Sequence, residues 1–178
     1  MKTLVIYTSQ TGFTKRYAKW IAERMDADLF DVNDVQSENG SFFTRYDAIV
    51  YAGWCVCGKV AKAKWFFEKA ENWKDKRLVI VSVGAALNGS KEAEMALNKI
   101  LTDEQKTYIE AFYCQGGINY EKMNLASKLT MKAYAGSLKK SKDERLRDMG
   151  AMIDHSYDAS DVRYIEPIVE YLSEAMSA

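Results

Sequence analysis

Apolar positions fall into short continuous runs that alternate with stretches in which they recur every three or four residues. Thr3-Leu4-Val5-Ile6-Tyr7 is nearly all apolar and rich in β-branched side chains, as expected of a strand buried on both faces of a parallel sheet. A polar turn follows. From Phe13 onward Tyr17, Trp20, Ile21 and Met25 return at helical spacing, with Lys15, Lys19, Glu23 and Arg24 largely on the other side. The alternation then predicts a weak strand over 29–32, a strong one over 48–52, a helix over 62–73 and a buried strand over 78–83. Ser90 is the expected N-cap of a helix through Ala93, Met95, Leu97, Ile100 and Leu101, with Glu92 and Glu94 in its first turn. Residues 108–113 supply a fifth strand. Ile165, Ile168, Val169, Leu172 and Met176 describe a closing amphipathic helix with Pro167 near its start, where proline costs little.

Five strands alternating with helices argue for an α/β doubly wound sheet, whose ligands sit beyond the C-terminal strand ends. Residues 115–163 interrupt the alternation. They have a helical middle around Leu125, Leu129, Ala133 and Leu138 and a polar run over 137–148, too long for a structureless loop in a compact domain. The expectation is a helical insertion before the last helix that caps the ligand face. At 178 residues the chain suits one domain over 1–178.

Composition narrows the function classes. Hydrophobic residues make up 48% and charged residues 28%, the profile of a folded globular chain. Twenty-five basic residues balance twenty-five acidic ones, so no global field favours nucleic acid, and no nucleic-acid partner is expected. Cys55, Cys57 and Cys114 are too few for a disulfide scaffold, and Cys-x-Cys is neither a thioredoxin-type nor a zinc-type pair. No metal site is expected. The start of the chain does not resemble a secretory signal, and no apolar run approaches the ~20 residues of a membrane span, so the expected location is cytoplasmic.

The chemistry concentrates between the first strand and first helix, at Ser9-Gln10-Thr11-Gly12-Phe13-Thr14. A helix N-terminus offers free backbone N–H groups and the positive end of a dipole. Three hydroxyl residues add donors, and Gly12 lets the backbone approach closely, which together suit a phosphate. Here the chain resembles the flavodoxin family, whose first loop reads Ser/Thr-x-Thr-Gly-x-Thr and grips the phosphate of FMN. The resemblance implies a flavodoxin-like five-stranded parallel sheet in the order 2-1-3-4-5, with FMN as cofactor and electrons or hydride passing through flavin N5.

In such proteins a second loop, after the third strand, wraps the flavin ring. By resemblance that loop is Gly53-Trp54-Cys55-Val56-Cys57-Gly58, with the Cys57-Gly58 peptide against N5. Trp54 suits either ring packing or the core, and Cys57 either a redox thiol or a small buried residue. Gly53 to Lys59 also fits the start of a nucleotide-binding loop, but Val60 stands where magnesium chemistry requires Ser or Thr. Gly84 and Ala85 after the fourth strand, and Gly117 in Gly116-Gly117-Ile118-Asn119-Tyr120 after the fifth, offer further close approaches to a cofactor. His155 has no companion ligand and reads as a surface residue, and no side chain stands out as a catalytic acid or base.

Three functional readings follow. The first is an FMN electron carrier working with a redox partner protein. The chain is neutral, however, and carries Lys59 where many carriers have an acid, a charge that favours the reduced flavin anion. The second comes from a narrower resemblance, in overall layout, to the menaquinone-dependent protoporphyrinogen dehydrogenase branch, and implies an oxidoreductase with a quinone or porphyrin-type substrate. In that branch the insertion is linked to membrane or porphyrin contact. The basic segment 122–147 suits a solvated helix surface, with peripheral membrane contact as the alternative that the resemblance implies. The third is a flavin-free receiver-like binding module, which would need an acidic cluster that the first loop lacks.

Overall fold

In the computed structural model, which describes residues 1–56 and 58–174, five parallel strands form the centre of the molecule. They are β1 (Thr3–Tyr7), β2 (Asp28–Asp31), β3 (Ala48–Val56), β5 (Arg77–Gly84) and β6 (Ile109–Gln115), in the order β2-β1-β3-β5-β6. Counting only these parallel members, the expected order 2-1-3-4-5 holds. The reversal lies between β1 and β3, whose registers run from Thr3↔Ala48 to Tyr7↔Ala52.

Strict period-2 alternation splits the strands between two cores. Leu4, Ile6, Ile49, Tyr51, Leu78 and Ile80 face Phe43, Phe66 and Trp73 on one side. Val5, Val50, Val79 and Val81 face Tyr17, Ile21, Ile168 and Leu172 on the other. The second layer is built by α1 (Phe13–Met25) and α8 (Glu166–Glu174), the first by α4 (Ala63–Ala70) and a 3₁₀ turn over Glu71–Trp73. Ser90 caps α5 (Lys91–Asn98) as expected, its hydroxyl accepting the Ala93 N–H at 3.2 Å. That helix stops short of Ile100 and Leu101. Met176 lies outside the described residues.

Several boundaries differ from the sequence expectation. Val32 does not end β2; it opens α2 (Val32–Val35), because the Asp31 carboxylate accepts the Asn33 N–H and turns the chain. A further short helix, α3 (Gly40–Thr44), precedes β3. The largest difference is at β3. Residues expected in a loop, Gly53 to Val56, remain in the strand, where Gly53↔Ser82 and Trp54↔Val83 continue the ladder with β5. The chain then folds back as an antiparallel hairpin with β4 (Lys59–Val60). A Cβ on Gly53 would lie 2.6 Å from the Val60 side chain and 2.9 Å from the Ala61 carbonyl, so this return path is what requires a glycine there.

The insertion is folded. β7 (Gly117–Ile118) pairs antiparallel with β8 (Tyr157–Asp158), and between them run α6 (Leu125–Lys139) and α7 (Glu144–Met152). The polar run over 137–148 thus contains the end of one helix and the start of the next. These elements have a small core of their own, around Ile118, Tyr120, Ala135 and Ile153, with Met131, Leu138 and Met149 packed against it. Leu125 and Leu129, read from sequence as part of an apolar stripe, are 73% and 62% exposed. Among the described residues no helix is long and apolar enough to cross a membrane.

Candidate functional site

The β1–α1 turn opens into a cavity of about 270 Å³ lined by Tyr7, Ser9, Gln10, Thr11, Gly12, Lys15, Asp31 and Lys122. It sits at the C-terminal ends of β1 and β2, where a doubly wound sheet leaves room for a ligand. A groove of about 680 Å³ lies at the opposite ends of the strands, lined by groups of both signs including Asp47, Lys74, Arg77, Tyr108, Glu110 and Tyr171. Its size is outweighed by its position, because in a doubly wound sheet ligands sit beyond the C-terminal strand ends, and this groove lies at the other end.

Local geometry explains why the smaller cavity suits an anion. Gly12 is the N-cap of α1 at φ 101°, a left-handed conformation that side chains rarely adopt, and it contributes no capping side chain. The Ser9 hydroxyl is turned back on the loop and accepts the Gly12 N–H at 3.1 Å. Arg16 N–H closes the first helical bond to the Gly12 carbonyl at 3.0 Å. The three amides between them, of Phe13, Thr14 and Lys15, belong to the turn whose N–H groups have no partner within a helix. A Cβ built on Gly12 meets no heavy atom within 4 Å, so the approach to these donors is open. Amide donors, the Thr11 hydroxyl and two lysines at the rim form a donor set that matches a phosphate monoester.

The helix bearing this turn is fixed from behind. Tyr17, fully buried, donates its hydroxyl hydrogen to the Gln115 carbonyl and accepts the Asp161 N–H at 3.1 Å. Burial pushes this phenol far above its ordinary value. Arg16 donates to Asp158 at 2.5 Å and to Ser160 at 2.7 Å, which joins α1 to the β7–β8 ribbon.

The structure brings together only part of the residue set read from sequence. Ser9, Gln10, Thr11 and Gly12 share the cavity. Phe13 and Thr14 are buried beneath it, and the Phe13 ring packs beside Gly116 and Gly117. Of the second segment, Gly53, Trp54 and Cys55 lie in β3 with the backbone of Val56, Gly58 occupies the hairpin turn at φ 76°, and Cys57 lies outside the described residues. A Cβ on Gly84 would sit 2.7 Å from the Tyr113 hydroxyl, and one on Gly117 would sit 2.1 Å from the Tyr157 carbonyl, so protein atoms already account for both glycines. Ala85 accepts a hydrogen bond from Tyr157 at 2.8 Å, and Ala86 one from Tyr113 at 2.9 Å. Gly53, Gly84 and Gly117, expected beside a ring, are therefore close-packed by protein atoms, whereas Ser9 to Gly12, expected beside a phosphate, line an open cavity. Tyr7, Lys15, Asp31 and Lys122 were missed. The position of Asp31 beside β1 is readable from strand order, but nothing in the sequence signals Lys122.

Among the described residues no group of three His, Cys, Asp or Glu side chains is arranged to hold a metal. Cys114 is buried, and burial raises its thiol to about 12, so it is a packing residue. His155 is exposed, as expected.

Comparison with known proteins places this geometry in context. A family model described as a flavodoxin domain matches residues 4–145. The flavodoxin-like domain-containing protein BilS of Clostridioides difficile (strain CD3) is 30% identical over 126 residues, covering 66% of this chain and 68% of that protein. Among solved structures, the Trp repressor binding protein of Bacillus subtilis superposes with a TM-score of 0.51 at 14% identity, over 80% of this chain and 100% of its own, a likeness of fold. Oxidised flavodoxin 2 of Bacillus cereus gives 0.47 at 18% identity over 65% and 84% of the two chains.

Proposed function

Since the chain belongs to the flavodoxin domain family, we propose that it binds FMN, with the phosphate at the start of α1, and acts as a flavin redox protein. The observation that carries this reading is the N-terminus of α1, which has no side-chain cap and opens into a cavity lined by Ser9, Thr11 and Gly12. At about 270 Å³ the cavity is just below the range of roughly 300–1,000 Å³ that encloses a whole small-molecule ligand, so it fits the phosphate and the neighbouring part of the polyol. The ring would lie across the C-terminal ends of β3 and β5, beside the β3–β4 hairpin. That hairpin is closed by its own short ladder, Cys55↔Val60 and Val56↔Lys59, with Val60 buried in the core beneath it.

When bound, the flavin supplies the electron or hydride exchange at N5; the protein supplies position, electrostatics and exclusion of water. Amides at the start of α1 and the Thr11 hydroxyl hold the phosphate. Lys59, exposed on β4, places a positive charge on the hairpin and favours a reduced anion. As partners we propose a redox protein, a quinone or a porphyrin-type substrate.

The absorbance spectrum of the purified protein, followed by titration of the flavin-free form with FMN, tests the reading. Flavin bands or saturable binding in the micromolar range are expected; absence of both rules it out. Turnover of a soluble quinone by the isolated holoprotein marks an enzyme, and reduction only through a partner reductase marks a carrier.

A further inference from the structure

Two lysines converge on the phosphate cavity from unrelated parts of the chain. Lys15 comes from the first turn of α1. Lys122 comes from the insertion, beyond the end of β7. Arg16, the other cation of that helical turn, is committed to Asp158 and Ser160 and is neutralised there. Neither Lys15 nor Lys122 forms an ion pair among the described residues. The one acid in the lining, Asp31, is hydrogen-bonded to Asn33 through both its backbone N–H and its side-chain amide, at 3.0 and 2.7 Å. The cavity therefore carries a surplus of positive charge.

Lys122 is held on a firm base. Its N–H donates to the Asn119 side chain at 3.1 Å, which closes a turn. Tyr120 in that turn is buried in the insertion's own core, with its hydroxyl donating to the Ile153 carbonyl at 2.7 Å and its N–H donating to Ser156 at 3.0 Å. The β7–β8 ribbon is tied to α1 through Asp158 and Arg16. The turn bearing Lys122 and the loop bearing Thr11 are thus parts of one connected arrangement, and a long flexible ammonium side chain can reach an anion between them.

We propose that Lys122 is a phosphate-binding residue delivered by the insertion, and that it makes the site select a 5′-phosphorylated flavin over the unphosphorylated one. This rests on the FMN reading above. The insertion then has a definite role at the cofactor: it closes the phosphate end with a charge that the β1–α1 loop alone does not contain.

The test is fluorescence-quenching titration of the flavin-free protein with FMN and, separately, with riboflavin. Lys122→Ala should weaken FMN binding about 2- to 5-fold, as expected for one exposed ion pair, and leave riboflavin unchanged. Lys122→Arg should keep most of the FMN affinity. The difference should shrink in 1 M salt, where screening reaches about 3 Å. Lys140→Ala, just past the far end of α6, should behave as wild type. Melting of each flavin-free variant confirms that it is folded, and Lys122→Gln serves as a second neutral variant. FMN affinity unchanged in Lys122→Ala and Lys122→Gln overturns the proposal while leaving the FMN reading intact, as does an equal loss for both flavins. Failure of the wild type to bind either flavin overturns the FMN reading and the proposal together.

Discussion

Replacing Tyr17 by phenylalanine removes one oxygen from a fully buried side chain and leaves the ring, which packs edge-on to Trp20 at 5.2 Å between centroids, in place. That oxygen joins α1 to the end of β6 through the Gln115 carbonyl and to the segment before α8 through the Asp161 N–H. Each lost bond is worth about 1 kcal/mol net, and an N–H left without a partner costs about 1–3 kcal/mol. Only one oxygen is lost, so any cavity term is small and the expected loss is about 2–3 kcal/mol. For a chain of this size that is a fall of about 4–12 °C in melting temperature, at roughly 2–4 °C per kcal/mol. Urea unfolding at pH 7 measures it directly, because a phenol is protonated there in both the folded and the unfolded chain. The slope with denaturant should not change, since the surface exposed on unfolding is the same. A variant within about 0.5 kcal/mol of wild type, the range of an ordinary surface substitution, would refute the claim that this hydroxyl holds the first helix against the sheet.

Gly117→Ala forces a Cβ to within 2.1 Å of the Tyr157 carbonyl; separating β7 from β8 should cost about 1–3 kcal/mol and lower FMN affinity in the same titration, because the ribbon ties the insertion to α1. Asp154 is held at about 2 by Lys139 and Lys132, below its ordinary ~3.9. Its contribution is therefore fully present above about pH 4 and is lost as pH falls through about 2, and Asp154→Asn should remove that part of the acid dependence of the urea midpoint. Cys114, raised to about 12 by burial, should resist a thiol reagent at pH 8 in the folded protein and react only after unfolding. Leu129→Gln, on the exposed face of α6, should change stability by less than about 0.5 kcal/mol, read from the same melts.

Local pattern determined much of the architecture by itself. Short continuous apolar runs rich in β-branched residues, such as Leu4-Val5-Ile6, suit strands covered on both sides, and their alternation with helical spacing leaves a doubly wound sheet as the economical arrangement. The Ser9 to Gly12 part of the candidate cavity was equally legible, because these residues lie within one turn of chain, where neighbours in sequence are neighbours in space. Tertiary structure decided the rest. Whether Gly53 to Val56 formed a loop or a strand depended on β5 offering Ser82 and Val83 as partners, an energy that local propensity does not contain. Leu125 and Leu129 have the spacing of a buried face, yet α7 packs on the other side of α6, where Gly150 comes close to the Ala135 carbonyl. Lys122 reaches the cavity only because the β7–β8 ribbon is bolted to α1. A contact between residues so distant along the chain is set by the register of that ribbon, and no periodicity in the sequence encodes it.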